Sequence, residues 1–505
     1  MFKAKIGSKT LYPKNELENY FDHFRKNVVG YNQLIKTPYG DKRMIYADWT
    51  ASGRLYRPIE AKLLHKVGPW IGNTHTESTI TGSTTTAAYD YAKDVIKKHV
   101  NANENDVLIA TGAGMTDAVN KLQRLMGIRV PKQLQQNMKI NEADRPIIFV
   151  SHMEHHSNYL SWKETIGDCI MLPADQYGNV DTVVLEHYLK QYTHRKLKIG
   201  AFTACSNVTG LQTDYHQLAR LMHEYGGICF IDFAASAPYV AIDMHPTAPQ
   251  ECLDGIFFSP HKFLGGPGSS GLLLVSKNHI TSDIPDNPGG GTVLWTDNWG
   301  GYKYSGHTEA REDGGTPGFL QLIRAALAIK LKEQMGVDAM QDRKREVIQL
   351  FVPLLNKMEG VSILGNAALQ ACMGIISFRV EEIHHQLVVK LLNDRFGIQT
   401  RGGCSCAGPY GHYLLDIDPD SSAKMAKAAE AGNMALKPGW IRVSLHPIMS
   451  DKEVLAISYA LQQIIEHKQE WAEDYDYDPK SDTFVYKHDS VMKNINMEQL
   501  FDFTD

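Results

Sequence analysis

Six short apolar runs constrain this chain more than any other feature. They are "DVLIA" at 106–110, "PIIFVS" at 146–151, "KIGAFTACS" at 198–206, "GICFIDFA" at 227–234, "GIFFS" at 255–259 and "GLLLVS" at 271–276. Near-continuous apolar character predicts strands covered on both faces. Helical spacing of apolar residues marks "TDAVNKLQRLMG" (116–127) and "YHQLARLMHEYG" (215–226) between such runs. Strands of this kind separated by helices predict a large α/β domain around a mostly parallel sheet. The last two runs leave no room for a crossover helix, so one of them is expected to be antiparallel.

The pattern changes after "GGTPGFLQLIRAALAIKLKEQMG" (314–336). A smaller C-terminal α+β domain is expected there, with strands at 374–380 and 441–446 and helices near 384–396 and 451–470. Ser450 and Glu453 are spaced as a capping box for the last helix. Val454, Ile457, Leu461, Ile464 and Ile465 recur on one face of it. The expected organisation is a lead at 1–45 contributing to the small domain, a large domain at 46–325 and the small domain at 326–470. A polar, Ala/Gly-rich insertion interrupts the small domain at 416–440. An acidic, aromatic tail follows at 471–505, either an arm packed on the body or a mobile end.

Composition narrows the function classes. A chain of 505 residues implies two or three domains. A net charge of −5 and a pI near 6.5 argue against a nucleic-acid partner. No Lys/Arg block suggests a membrane surface, and the longest apolar runs are too short to span a bilayer. The start, "MFKAKIGSKTLYPKNELENYF", has no apolar core of signal-peptide length. A soluble cytoplasmic protein is expected. The seven cysteines form an odd, scattered set that argues against a disulfide framework. Cys205 and Cys229 sit in apolar runs as expected small core residues.

In α/β sheets ligands collect at the carboxyl ends of strands, so the turns there carry the chemistry. After the first run, "TGAGMTDAVNKL" places glycines before a helix opened by Thr116, a setting that suits a phosphate. "HMEHHSN" places His155 and His156 just past the second run. Asp232 ends an apolar run in "IDFAAS" and needs a partner, because burying a lone carboxylate is costly. A cationic ring nitrogen of a ligand would serve, as would a local Lys or Arg. "FFSPHKFLGGPGSSGLLLV" sets Lys262 after Ser259 and His261 at a strand end, before a glycine-rich loop. A lysine so placed can lose its proton and form a Schiff base. Phosphate turn, His, Asp and Lys in that order describe a pyridoxal 5'-phosphate site.

These motifs resemble the class V aminotransferase family of fold-type I pyridoxal-phosphate enzymes, nearest its cysteine desulfurase and selenocysteine lyase branch. The resemblance runs from about Tyr46 to about Ile465. It implies that Lys262 is the Schiff-base lysine and that His155 stacks on the ring and assists proton transfer. Asn207 in "SNVTG" would lie near the ring oxygen and Asp232 would face the ring nitrogen. Thr116, Ser259 and His261 would hold the phosphate in a turn that also contains Met115, where a threonine is common. Thr316 in "GGTPG" would reach the phosphate across a homodimer interface. Arg442 in "IRVSLHP" would bind the substrate carboxylate through its bidentate fork. Ala235 stands where the family usually has a glutamine, and the 416–440 insertion lengthens the interval from Cys406 to Arg442.

"TRGGCSCAGPYGHYLL" (400–415) puts Cys404 and Cys406 one residue apart with His412 nearby. A zinc site would need four ligands and finds three candidates. A disulfide across one residue would be strained. A reactive thiol on a Gly-rich loop and a thiol pair without sulfur chemistry are the remaining readings. The resemblance implies Cys406 as the catalytic cysteine, with Cys404 near enough for later steps. It further implies a small amino-acid substrate, conversion of cysteine to alanine with a persulfide on Cys406, and a sulfur-acceptor protein. An aminotransferase, lyase or epimerase would use the same site without Cys406, and a non-catalytic binding protein would not need Lys262. No metal is expected.

Overall fold

All six apolar runs lie in one seven-stranded sheet. A computed structural model describes residues 16–74, 76–365, 373–488 and 495–503; most of the initial stretch and Cys372 lie outside them. The strands are β1 (Asp106–Thr111), β2 (Ile147–Ser151), β3 (Asp168–Leu172), β4 (Lys198–Thr203), β5 (Ile228–Asp232), β6 (Gly255–Phe258) and β7 (Gly271–Ser276). Their spatial order is β1-β7-β6-β5-β4-β2-β3. β7 runs antiparallel to both its neighbours, and the other pairings are parallel. The short β6–β7 connection dictates that reversal, because a parallel return needs a long crossover.

The sheet is buried on both faces. Ile148 and Val150 belong to one apolar cluster, whereas Ile147 and Phe149, alternating with them on β2, belong to another. This two-residue alternation into two cores explains why the runs read as continuous rather than alternating. β3 escaped the sequence reading. It is the edge strand, and four of its five residues are only half-buried, so "DCIML" lacks the apolar density of the inner strands.

A second, four-stranded antiparallel sheet is built from β8 (Val361–Ile363), β9 (Ile375–Val380), β10 (Arg401–Gly403) and β11 (Trp440–Ser444), in the order β8-β9-β11-β10. Helices His385–Phe396 and Asp451–Ala472 accompany it. The initial segment is stitched to this part of the molecule. Its Ile45–Tyr46 strand pairs in parallel with Ile398–Gln399, and Arg25 donates to the Ile448 carbonyl at 2.5 Å. The 416–440 stretch forms a helix, Pro419–Glu430, with no buried residue.

Residues 471–488 pack on the body. Tyr475–Asp478 and Thr483–Tyr486 form a hairpin. The buried Tyr475 hydroxyl donates to Asp394 at 3.0 Å, and Tyr39 donates to Asp474 at 2.6 Å. Among the described residues no helix is long and apolar enough to cross a membrane.

The Asp451–Ala472 helix opens with the expected capping box: Ser450 accepts the Glu453 N–H, and Glu453 accepts the Ser450 N–H at 3.0 Å. Its Val454, Ile457, Leu461 and Ile464 are fully buried. Ser450→Ala removes the cap and is expected to lower stability by about 1 kcal/mol, read as a lower denaturation midpoint with an unchanged slope.

Candidate active site

The carboxyl ends of β1, β4, β5 and β6 open into a pocket of about 390 Å³. Ten of the eleven residues to which the resemblance gives a catalytic, cofactor or substrate role line it: Met115, Thr116, His155, Asn207, Asp232, Ser259, His261, Lys262, Cys406 and Arg442. Thr316 stands outside it, beside Asn73 at 3.5 Å.

One end of the pocket is shaped for an anion. The Met115–Leu125 helix starts after Gly112, Ala113 and Gly114, so its first N–H groups lack helical acceptors. The Met115 N–H donates to Ser259 Oγ at 2.9 Å, and Thr116 Oγ1 lies 2.7 Å from Ser157 Oγ. The Met115 side chain packs into the core instead, which is why a methionine is tolerated in this turn. Gly114 keeps the cradle open. A Cβ there would lie 3.1 Å from Ser259 Oγ and 3.7 Å from His261 Nε2. Desolvation, reinforced by Lys262, lowers the His261 pKa to about 4.

The centre of the pocket sets an acid against a lysine. Asp232 ends β5 almost fully buried, and Ala234 donates its N–H to the carboxylate at 2.8 Å. Desolvation raises its pKa to about 6, with Ala234 and Lys262 opposing the rise. Lys262 closes the short Pro260–Lys262 turn after β6. Desolvation lowers its pKa to about 8, Asp232 opposes the drop, and Arg442 and Arg401 add to it. An amine that is partly neutral near pH 8 can act as nucleophile or base. His155 caps the His156–Lys163 helix, its Nδ1 accepting the Ser157 N–H at 3.2 Å. Desolvation, then Lys262, brings its pKa down to about 3, so the ring is neutral and carries its proton on Nε2.

Also at the pocket, β10 and β11 place Arg401 directly across from Arg442. One carboxylate serves both: Asp48 accepts Arg442 at 2.9 Å and Arg401 at 3.1 Å. Two guanidinium groups against one acid leave a net positive site that suits a substrate carboxylate. Arg442 also donates to the Asn207 carbonyl at 3.1 Å. The Asn207 Oδ1 is buried and has no hydrogen-bond partner.

Sequence reasoning missed Asp48 and its neighbours Thr50 and Ala51. They come from the initial segment, where the Gly53 N–H bonds the His261 carbonyl at 2.9 Å. An acid followed by the small residues of "TASG" is the one signal that could have pointed there. It also missed Glu154, a buried carboxyl that accepts from Ser151, Asn158 and the Thr203 N–H and so ties β2 to β4 behind the pocket. Desolvation raises its pKa to about 8.

Cys404 and Cys406 are free thiols, the second exposed. Ala407 donates its N–H to the Cys404 carbonyl at 3.0 Å, closing a turn whose central residues, Ser405 and Cys406, have φ of 51° and 57°. Two left-handed centres match a type I′ turn, which normally takes Asn or Gly. Each such non-glycine residue costs about 1 kcal/mol or more, so this turn needs external support. His412 offers no nitrogen to a metal beside the thiols: Nδ1 meets the Gly408 carbonyl at 2.8 Å and Nε2 meets Ser422 Oγ at 2.9 Å. Among the described residues the group with metal-ligand spacing is His384, His385 and Asp482, outside the pocket. There His384 Nδ1 accepts the Gln386 N–H, and Arg379 and Lys437 lie near enough to repel a second cation at His385.

Known proteins are similar to this chain in sequence and in fold. A probable cysteine desulfurase of Halalkalibacterium halodurans is 28% identical over 379 residues, covering 74% of this chain and 86% of that protein. A probable cysteine desulfurase of Staphylococcus aureus strain Mu50 is 27% identical over 382 residues, covering 74% and 85%. The apo cysteine desulfurase of Thermococcus onnurineus NA1 superposes with a TM-score of 0.70 at 22% identity, covering 88% of this chain and 98% of its own. The cysteine desulfurase CsdA of Escherichia coli gives 0.64 at 22% identity, covering 83% and 94%. The large sheet with its smaller companion is thus the fold of these enzymes, fold-type I. The sequence profile described as "Aminotransferase class-V" matches residues 45–457, and the chain belongs to that family.

Proposed function

We propose that this protein is a pyridoxal-phosphate-dependent cysteine desulfurase that converts cysteine to alanine and takes the sulfur onto Cys406. The observation that carries this reading is one pocket lined by Lys262, Asp232, Arg442 and the exposed Cys406. The relatives' names point the same way.

The residues present fit the cofactor. The open cradle at Gly114 and the Met115 helix end suit its phosphate, with Thr116, Ser259 and His261 beside it. Asp232 suits a protonated ring nitrogen, and the unpartnered Asn207 Oδ1 suits a donor on the ring. When bound, pyridoxal phosphate supplies an electron sink for the substrate Cα. Lys262, partly neutral, binds the cofactor and then moves the Cα proton. Neutral His155 holds a proton on Nε2 at the pocket wall. Arg442, steadied by Asp48, orients the substrate carboxylate. The Cys406 thiolate attacks the substrate sulfur. An S–S bond forms, the Cβ–S bond breaks with its electron pair left on carbon, and protonation yields alanine.

This reading includes a homodimer in which Thr316 completes the partner's phosphate site, a cytoplasmic location and a protein that accepts the sulfur.

Incubation with a panel of amino acids should give alanine from cysteine. Lys262→Ala should abolish turnover. Cys406→Ser should stop single-turnover alanine formation while the cofactor's absorbance band persists. Alanine from cysteine at the wild-type rate in Cys406→Ser would favour a lyase or aminotransferase. The neutral amine of Lys262 is the reactive form, so capture of added pyridoxal phosphate by the apoprotein should speed up as pH rises through about 8 and level off above it. Stopped-flow absorbance reads this rate. Mixed Lys262→Ala and Thr316→Val chains should form heterodimers in which one site retains both residues and regains activity. Sedimentation showing an active monomer would contradict the shared site.

A further inference from the structure

The exposed thiol of Cys406 sits on a turn that its own residues disfavour, and something outside the turn must hold it. Three bonds do so. Asn207 Nδ2 donates to the Ser405 carbonyl at 2.7 Å. The other two come from His156: its backbone N–H donates to the Cys406 carbonyl at 2.8 Å, and its ring Nε2 accepts the Gly408 N–H at 2.8 Å.

The geometry follows from where His156 lies. It is the first residue of the His156–Lys163 helix, immediately after the cap. A first-turn N–H has no acceptor within its own helix, so it is free for the thiol turn. The ring nitrogen reaches the other side of the same turn, so one residue grips the backbone before and after Ala407. Gly408 makes the approach feasible, since a Cβ there would lie 3.0 Å from His156 Nε2. Desolvation, with Lys437 adding to it, lowers the His156 pKa; Nε2, which accepts the Gly408 N–H, carries the lone pair.

We propose that His156 is a positioning residue for Cys406, clamping the thiol turn against the helix that His155 caps. The role rests on the desulfurase reading of the pocket. It adds a direct mechanical link between the cofactor-facing histidine and the thiol turn. His156 itself need touch neither substrate nor cofactor.

The test compares His156→Ala with His156→Gln in the cofactor-loaded protein. The glutamine amide can place an oxygen near the position of Nε2, whereas alanine offers no acceptor. Loss of one supporting hydrogen bond corresponds to about a tenfold effect. In His156→Ala, amide hydrogen exchange of the 404–410 segment should rise about tenfold. kcat for alanine formation should fall at least as much, with KM for cysteine and the cofactor band unchanged. His156→Gln should restore both exchange and kcat to within about threefold of wild type. If His156→Ala does not fold, His156→Asn, whose amide is too short to reach Gly408, takes its place with the same expectations. Wild-type exchange in the Ala or Asn variant would overturn the clamp, as would equal loss of kcat in the Gln variant. A wild-type protein that makes no alanine from cysteine would sink the desulfurase reading, while the exchange measurement would still decide whether His156 holds the turn.

Discussion

Covering the seven-stranded sheet with apolar side chains on both faces leaves the strands no room for polar chemistry along their length. Polar groups appear where the strands stop: Ser151 at the end of β2, Thr203 at the end of β4 and Asp232 at the end of β5. Ser259 and Lys262 follow β6 at once. The same burial sets the electrostatics. Desolvation disfavours charge of either sign, so it pushes the Asp232 pKa up and the Lys262 pKa down. The two groups are brought toward each other in proton affinity, which is what a site for moving a proton needs.

The positive part of the pocket at Arg401 and Arg442 depends on a segment far away in the chain. Asp48 follows the Ile45–Tyr46 strand, whose pairing with Ile398–Gln399 brings it beside β10 and β11. Without that acid, Arg401 and Arg442 would face each other across one strand pair with no counter-charge. With it, Arg442 is held by fixed partners on Asp48 and the Asn207 carbonyl, and the guanidinium pair retains a net positive charge. The initial segment is therefore part of the site, although it contributes little to the main sheet.

The thiol turn illustrates a different economy of structure. A type I′ turn built from Ser and Cys is locally unfavourable, and the fold compensates with bonds from Asn207, which lines the pocket, and from His156, which follows the pocket residue His155. Strained turns held by their surroundings are typical of functional loops on a stable scaffold, and this one presents an exposed thiol. The Pro419–Glu430 helix lies just beyond it, with no buried residue, and its stretch is linked back through His412 to Ser422 and through the Met434 N–H to the Pro479 carbonyl.

Much of this molecule was legible from sequence because its main signals are local. Six strands declared themselves by apolar density, the reversal within the last two by a connection too short for a helix, and the last helix by its capping box. Lys262, Asp232 and the Gly114 turn were found because each sits next to a strand whose end the sequence marks. What escaped depends on distance in the chain. The edge strand β3 is half-covered and so carries a diluted pattern. Asp48 meets Arg442 only through pairing of segments some 350 residues apart. The left-handed turn at Ser405 and Cys406 contradicts the local preference of its residues, and the support that permits it comes from His156 and Asn207. Local sequence could determine the strands, the helix caps and which titratable groups fall at strand ends, because propensity and periodicity act over a few residues. The tertiary structure decided which charges share a pocket and which strained turn survives, because those depend on desolvation and hydrogen bonds between segments that only folding brings together.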